Sequence, residues 1–537
     1  MNVSFKKDVL TFQSINQQDK EEVSNQVQQM KRIYESGTQT LIWLGPDENS
    51  HAAAAFSTIR RVGSDILRLS GIKIEQLNTV KDFYVLLQTI AQGSEKVDDS
   101  WIETEQWQLL GSLYQLSWFR RLWIIQEFNA NSAISFWGKN SESAQLIALV
   151  ATWICYDPIR GNRFYMELGD GALYASRMAY KLLRSPADNP IEALSALHFA
   201  SRFATSEPKD RVYALLGLPF LAANITANYN LTTSQVYQDL ASAFVIQGHL
   251  QVLRYVNKPV ENSSAEQWED GFYKPSWVPR WDPWGRDHID VPSSVLFKAG
   301  IRDLDAKFFR ELSQETVTLE GLVIDTIVEA SELDLPALGL GLRVPADARE
   351  GSPPTALEYS EAWCRVLRQT KHMVSDEEVY DAYERTLSCG ILELPANREW
   401  IGGYHGGGAL ANILRTLCQS SWQHPDGIAS PQVIKSRTRE PFQMDRFMDY
   451  IRLLQKERKF LRTGEGYIGT GPCQTKAGDK VVILYGSFLP YVLCEHGEGR
   501  YLLVGEVYID GIMHGEALKQ HEKGELPSVE TQRFVIE

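Results

Sequence analysis

The chain has 537 residues, too many for a single hydrophobic core, so two to four domains are expected. Hydrophobic residues make up 44% and charged residues 23%, the balance of an ordinary globular protein. A net charge of −14 excludes a general binder of nucleic acid or anionic membrane, because phosphate contacts need clustered Lys and Arg.

In chain order, Val9–Phe12 (VLTF) is a short apolar, β-prone run that suits a buried strand. Asp19, followed three residues later by Glu22, has the form of a capping box. Val23, Val27, Met30 and Tyr34 then recur at helical spacing, and Gly37 is a natural stop. Thr40–Gly45 (TLIWLG) reads as a second buried strand closed by the turn GPDEN. A strand, a helix and a strand over this length make a βαβ unit, so Val9–Phe12 and Thr40–Leu44 are expected to be parallel neighbours.

Residues 50–135 read as helices, with HAAAAFSTIRRVGSDILRLS amphipathic and TEQWQLLGSLYQLSWFRRLWIIQEF spaced for a helix. Residues 136–333 read as mainly helical, interrupted by an aromatic loop around Trp277, Trp281 and Trp284. Tryptophans beside prolines more often pin a loop than stack on a sugar or base. The Pro/Gly/Ala-rich stretch 334–354 is a linker candidate, and 355–463 reads as helical again. Within it, KERKFLR (Lys456–Arg462) reads as the solvated end of a helix. The glycines around His405 would suit an esterase oxyanion loop, but no G-x-S-x-G accompanies them, so a plain loop is expected. From 464 to 537, short β-branched runs broken by Gly indicate a small antiparallel barrel or sandwich. The fold class expected is therefore α+β multidomain, with an α/β N-terminus, a mostly helical middle and a β-rich C-terminal domain.

The six cysteines include no CxxC pair and no zinc-ligand spacing with His, and no Walker A, H-E-x-x-H, dinucleotide or EF-hand motif occurs. No metal and no cofactor is expected. Scattered single cysteines suit a reducing compartment. The N-terminus lacks an apolar leader core, and no stretch approaches the ~18 apolar residues of a spanning helix. A cytoplasmic protein without a membrane span is expected.

Ile15, Asn16, Gln17, Asp19, Glu22, Gln26, Val27, Met30, Ile33, Tyr34, Trp43, Leu44 and Gly45 lie in the register of a block W-I-D-A-I-C-I-N-Q-x-D-x-x-E-R-x-x-Q-V-x-x-M-x-x-I-Y…W-L-G. Arg121, Trp123, Gln126 and Glu127 match a second block, R-x-W-x-x-Q-E. PKDRVYALLGL (Pro208–Leu218) and the C-terminal GEGYIGTGPCQTKAGDKVVILYG and YLLVGEVYIDG follow in the same order. The sequence resembles the fungal heterokaryon-incompatibility (HET) domain family over both ends of the chain. The departures are Thr11 for the family's Asp, Ser14 for its Cys and Val23 for its Arg. The family's opening strand has no counterpart, so the expectation is a HET domain, residues 1–135, truncated at its N-terminus.

The resemblance implies a non-self-recognition and programmed-cell-death effector acting by association with protein partners or with itself. It also implies a TIR-like parallel sheet. Some TIR domains cleave NAD with a Glu near such a sheet, which makes Glu22 and Glu127 candidate catalytic carboxylates. Asn16 and Gln17 would then stand at the strand–helix junction beside an NAD-like ligand. The plainer alternatives are that Glu22 caps a helix and that Gln126 and Glu127 satisfy polar groups among Trp118, Trp123 and Phe128. The association reading is preferred, with the NAD(P) or nucleotide hydrolase as the alternative.

Overall fold

A computed structural model describes, a few single positions aside, residues 16–71, 102–128, 133–156, 190–256, 275–281, 297–301, 310–330, 382–390 and 455–537. Val9–Phe12, the linker 334–354, the glycine loop at Ile401–Leu410 and Trp284 lie outside the described residues. The chain divides into two compact units, Met1–Leu240 with Trp281–Pro283, and Ala241–Arg280 with Trp284–Glu537.

In the first unit, α1 (Lys20–Ser36) starts where the Asp19 carboxylate accepts the backbone N–H groups of Glu21 and Glu22. Val23, Val27 and Met30 are its buried stripe. β1 (Thr40–Gly45) leads through a turn in which Asp47 accepts the N–H groups of His51 and Ala52 at the start of α2 (Ala52–Ser70). After α3 (Thr104–Tyr114), a 3-10 turn (Ser117–Arg120) and the short α4 (Ile124–Phe128) come β2 (Ala133–Trp137), β3 (Asn140–Ser143) and α5 (Ala144–Tyr156).

β1 pairs in parallel with β2, and β2 pairs antiparallel with β3. β2 falls where the sequence was read as helix up to residue 135. Its AISFW alternates buried and half-buried positions, the period of a strand with one face covered. That covered face carries Ile42, Leu44, Ala133, Ser135 and Trp137, and Phe56 of α2 packs edge-on against Trp137 at 6.3 Å. The other face carries Leu41 and Trp43, with Ile134 and Phe136 opposite them in register. Gly45 has φ of +126°, a conformation that side chains rarely adopt, so a glycine ends the strand there. The rest of the unit includes α6 (Pro190–Ala200), α7 (Asp210–Tyr213) and α8 (Pro219–Asn224). α9 (Thr233–Ile246) follows them.

The second unit is built on a sheet. β4 (Arg310–Leu312), β5 (Val317–Ala330), β6 (Arg458–Thr463), β7 (Ile468–Pro472), β8 (Lys480–Leu484) and β9 (Tyr491–Glu495) precede β10 (Arg500–Glu506), β11 (Tyr508–Ile509) and β12 (Thr531–Ile536). β5 pairs with β12, β12 with β10, β10 with β9, β9 with β8, and β8 again with β5, a closed ring. The pairings are antiparallel except between β10 and β12. The long β5 makes closure possible by pairing with both β12 and β8, and Gly321 and Leu322 have a partner in each. A Cβ on Gly321 would stand 2.2 Å from the Ile483 carbonyl oxygen, so only glycine admits the approach. The ring encloses Leu322, Ile327, Val481, Ile483, Val492 and Val504.

Two sequence expectations are overturned here. Val317–Ala330 lies in a stretch read as mainly helical, yet it is a strand whose first half alternates buried and half-buried side chains. Lys456–Arg462, read as a solvated helix end, contributes most of β6. Arg458 is fully buried and donates to the backbone oxygens of Thr470 at 2.7 Å and Glu506 at 3.3 Å, while Phe460 and Leu461 are buried beside it. Its charge, which argued for solvent, serves internal carbonyls instead. Trp277 and Trp281 are buried, as expected of residues that pin a loop.

Candidate functional site

Three sequence blocks far apart in the chain meet in the first unit. α1 presents Ser24 and Gln28, whose side chains accept the backbone N–H groups of Tyr229 at 3.0 Å and Ala227 at 2.9 Å. The R-x-W segment runs beside Ala204: Leu122 N–H donates to the Ala204 carbonyl and Ala204 N–H to that of Arg120. Trp123 Nε1 donates to Asp210 Oδ2 at 2.9 Å, and Gln126 Nε2 donates to the Ala214 carbonyl at 2.9 Å. The second block is thereby bonded to PKDRVYALLGL.

In that third block each charged side chain has a defined task. Lys209 Nζ donates to the carbonyls of Tyr229 and Leu231 at 3.0 and 2.9 Å and lies 3.7 Å from Glu207. Arg211 donates to the carbonyls of Ser201 and Phe203 at 2.8 and 3.0 Å. Asp210 accepts from the Trp123 indole, the Thr205 hydroxyl and the Tyr229 hydroxyl. Burial pushes the Asp210 carboxyl above the usual carboxylate range, against the pull of those three donors. Burial, and then the Asp210 charge, hold the Tyr229 phenol protonated far above its ordinary value, which keeps it a donor.

Around these groups lies a pocket of about 520 Å³, within the size range of small-molecule sites. Lys20 and Val23 of α1, Arg121–Trp123, Ala204–Glu207, Lys209, Asp210 and Tyr229 line it. Lys209, Asp210, Thr205 and Tyr229 were not singled out by sequence reasoning. The signal lay in the PKDR block, but the pairing of Asp210 with Trp123, 87 positions away, is tertiary.

The residues that the sequence singled out have separate positions. Arg121 and Trp123 line the pocket. Asp19 caps α1, and Asn16 Oδ1 accepts the Gln18 N–H in a local turn, while Gln17 lies outside the described residues. Glu22 and Gln26 are half-buried on α1, and the lining of the pocket does not include them. Glu127 accepts the Trp118 indole N–H at 2.8 Å, and its charge adds to burial in raising the Tyr34 phenol. Trp43 is 59% exposed, outward from the sheet. Among the described residues, no group of three or more His, Cys, Asp or Glu side chains is placed to hold a metal, and no helix is long and apolar enough to cross a membrane.

Part of this arrangement, Lys20, Val23 and Arg121–Trp123, falls in a segment that matches a known domain, and the part from Ala204 to Tyr229 lies beyond it. The heterokaryon incompatibility protein (HET) family matches residues 13–127, and the Het-6 beta-barrel domain family matches residues 438–527. The chain thus carries a segment near each end that matches these incompatibility-protein domains. Among characterised proteins it is similar to heterokaryon incompatibility protein 6, OR allele, of Neurospora crassa, at 25% identity over 95% of this chain and 81% of that protein. No solved structure matches it. β5 and β12, which close the barrel, flank the segment that matches the barrel family rather than lying inside it.

Proposed function

We propose that this chain acts in heterokaryon incompatibility as a non-self-recognition and cell-death effector, and that it works by association of its HET domain with a protein partner or a second copy. The HET family and the similarity to an incompatibility protein support the role. One observation carries the association: Leu41 and Trp43 on β1 are 49% and 59% exposed, side by side on one face. Large apolar side chains grouped on a surface mark interaction sites more often than isolated ones do. A TIR-like architecture is supported by the parallel β1–β2 pair carrying helices, and a cytoplasmic setting by the scattered single cysteines.

The alternative, a nucleotide hydrolase using Glu22 or Glu127, draws less support, because Glu127 is engaged by the Trp118 indole. To test association, two differently tagged copies of the full chain are co-expressed in a fungal host, with and without Leu41→Ser and Trp43→Ser, and pulled down. The double variant should lose at least tenfold of the captured partner, whether that is the second copy or another protein, at unchanged melting temperature. Equal capture by variant and wild type would refute the association reading.

A further inference from the structure

We propose that the pocket between α1, the R-x-W segment and the PKDR segment binds a small molecule through an oxyanion, a phosphate or carboxylate group, seated between Lys20 and Arg121. The inference stands independently of the association reading, since Leu41 and Trp43 take no part in the pocket.

The charges lining the pocket do not cancel. Lys209 is occupied by two carbonyls and by Glu207, so those two opposite charges answer each other. Asp210 is saturated by three donors, and its burial opposes ionisation. Lys20 and Arg121 remain, and among the described residues neither has an ion-pair partner. Both are exposed side chains, so they can turn toward an anion without breaking an existing bond. Arg presents a planar fork of donors matched to an oxyanion, and Lys adds a compact second charge. Thr205 and Ser206 also line the pocket, and the Thr205 hydroxyl is engaged by Asp210.

The rest of the cavity suits the body of such a ligand. Its volume of about 520 Å³ exceeds what an inorganic ion needs. Trp123 and Tyr229 contribute aromatic surface whose polar ends are already tied to Asp210. Those ties fix the rings before any ligand arrives, so little ordering accompanies binding.

The test is isothermal titration of the full chain with inorganic phosphate, with pyrophosphate and with acetate, on wild type, Lys20→Gln, Arg121→Gln and the control Arg68→Gln on α2. Saturable binding of either phosphate probe, weakened about tenfold by Lys20→Gln and by Arg121→Gln but not by Arg68→Gln, supports the site and assigns a phosphate group. The same pattern with acetate alone supports it and assigns a carboxylate. Melting curves establish that the exposed substitutions leave the fold intact. No saturable binding of any probe, or binding indifferent to both pocket variants, overturns the proposal.

Discussion

The two units handle their polar and apolar groups in opposite ways. In the barrel the strands return on themselves, and even charged side chains are buried: Arg458 of β6 is fully buried, and Glu506 of β10 lies 3.3 Å from Arg254, a buried residue of the same unit ahead of the strands. In the N-terminal unit the three described strands have one face packed under α2 and the other bearing Leu41 and Trp43. The same unit holds a pocket whose lining includes Lys20 and Arg121, neither with an ion-pair partner among the described residues. A closed sheet removes edges and spends its polar groups on itself, whereas an open one leaves groups for other molecules.

The largest effect is expected in the barrel. Glu506→Gln leaves the Arg254 guanidinium buried without its carboxylate, a change of the kind that costs about 3–5 kcal/mol. Chemical denaturation of the full chain should show a transition displaced to lower denaturant. A displacement no larger than that of a surface substitution would break the contrast drawn between the units.

A smaller effect is expected at Asp210. Asp210→Asn replaces one acceptor oxygen with a donor facing the Trp123 indole or the Tyr229 hydroxyl, and an unsatisfied buried donor costs about 1–3 kcal/mol. The pH dependence has a definite sign. A carboxyl raised in the folded state binds its proton more tightly there, so its contribution to stability is present below its unfolded value, ~3.9, and declines as pH rises through the folded value. The advantage of wild type over Asp210→Asn should therefore shrink with rising pH across that window. Melting temperatures from pH 3 upward check it, and an advantage that grew with pH would be the wrong sign.

The smallest effect on stability is expected at Trp43. It is 59% exposed, and Trp43→Ser should shift stability by less than about 0.5 kcal/mol. A large loss would mean that this face is part of the packed body of the domain.

The sequence was legible where local chemistry decides. Asp19 capping α1, the buried stripe Val23–Val27–Met30 and the runs of β8 to β10 all follow from residues close together in the chain. Legibility failed where a distant partner decides. β6 carries Arg458, Lys459 and Arg462 among its six residues and looks solvated until the Thr470 and Glu506 carbonyls are placed beside Arg458. β5 becomes a strand because β8 and β12 pair with it from more than 150 residues further on. At the site, Arg121 and Trp123 stood out as a motif, but Asp210 and Tyr229 gain meaning only from their mutual bond. Thr205 joins them for the same reason.

The central claim is that recognition belongs to the exposed face of the N-terminal sheet and not to the barrel. It is tested most directly by scoring incompatibility in a fungal host expressing the full chain, Trp43→Ser, or Val328→Ser, the last removing a side chain 45% exposed on β5 of the barrel. The account predicts that wild type and Val328→Ser suppress colony formation alike, while Trp43→Ser, at equal protein level, restores it at least tenfold. Suppression by Trp43→Ser equal to wild type would contradict it.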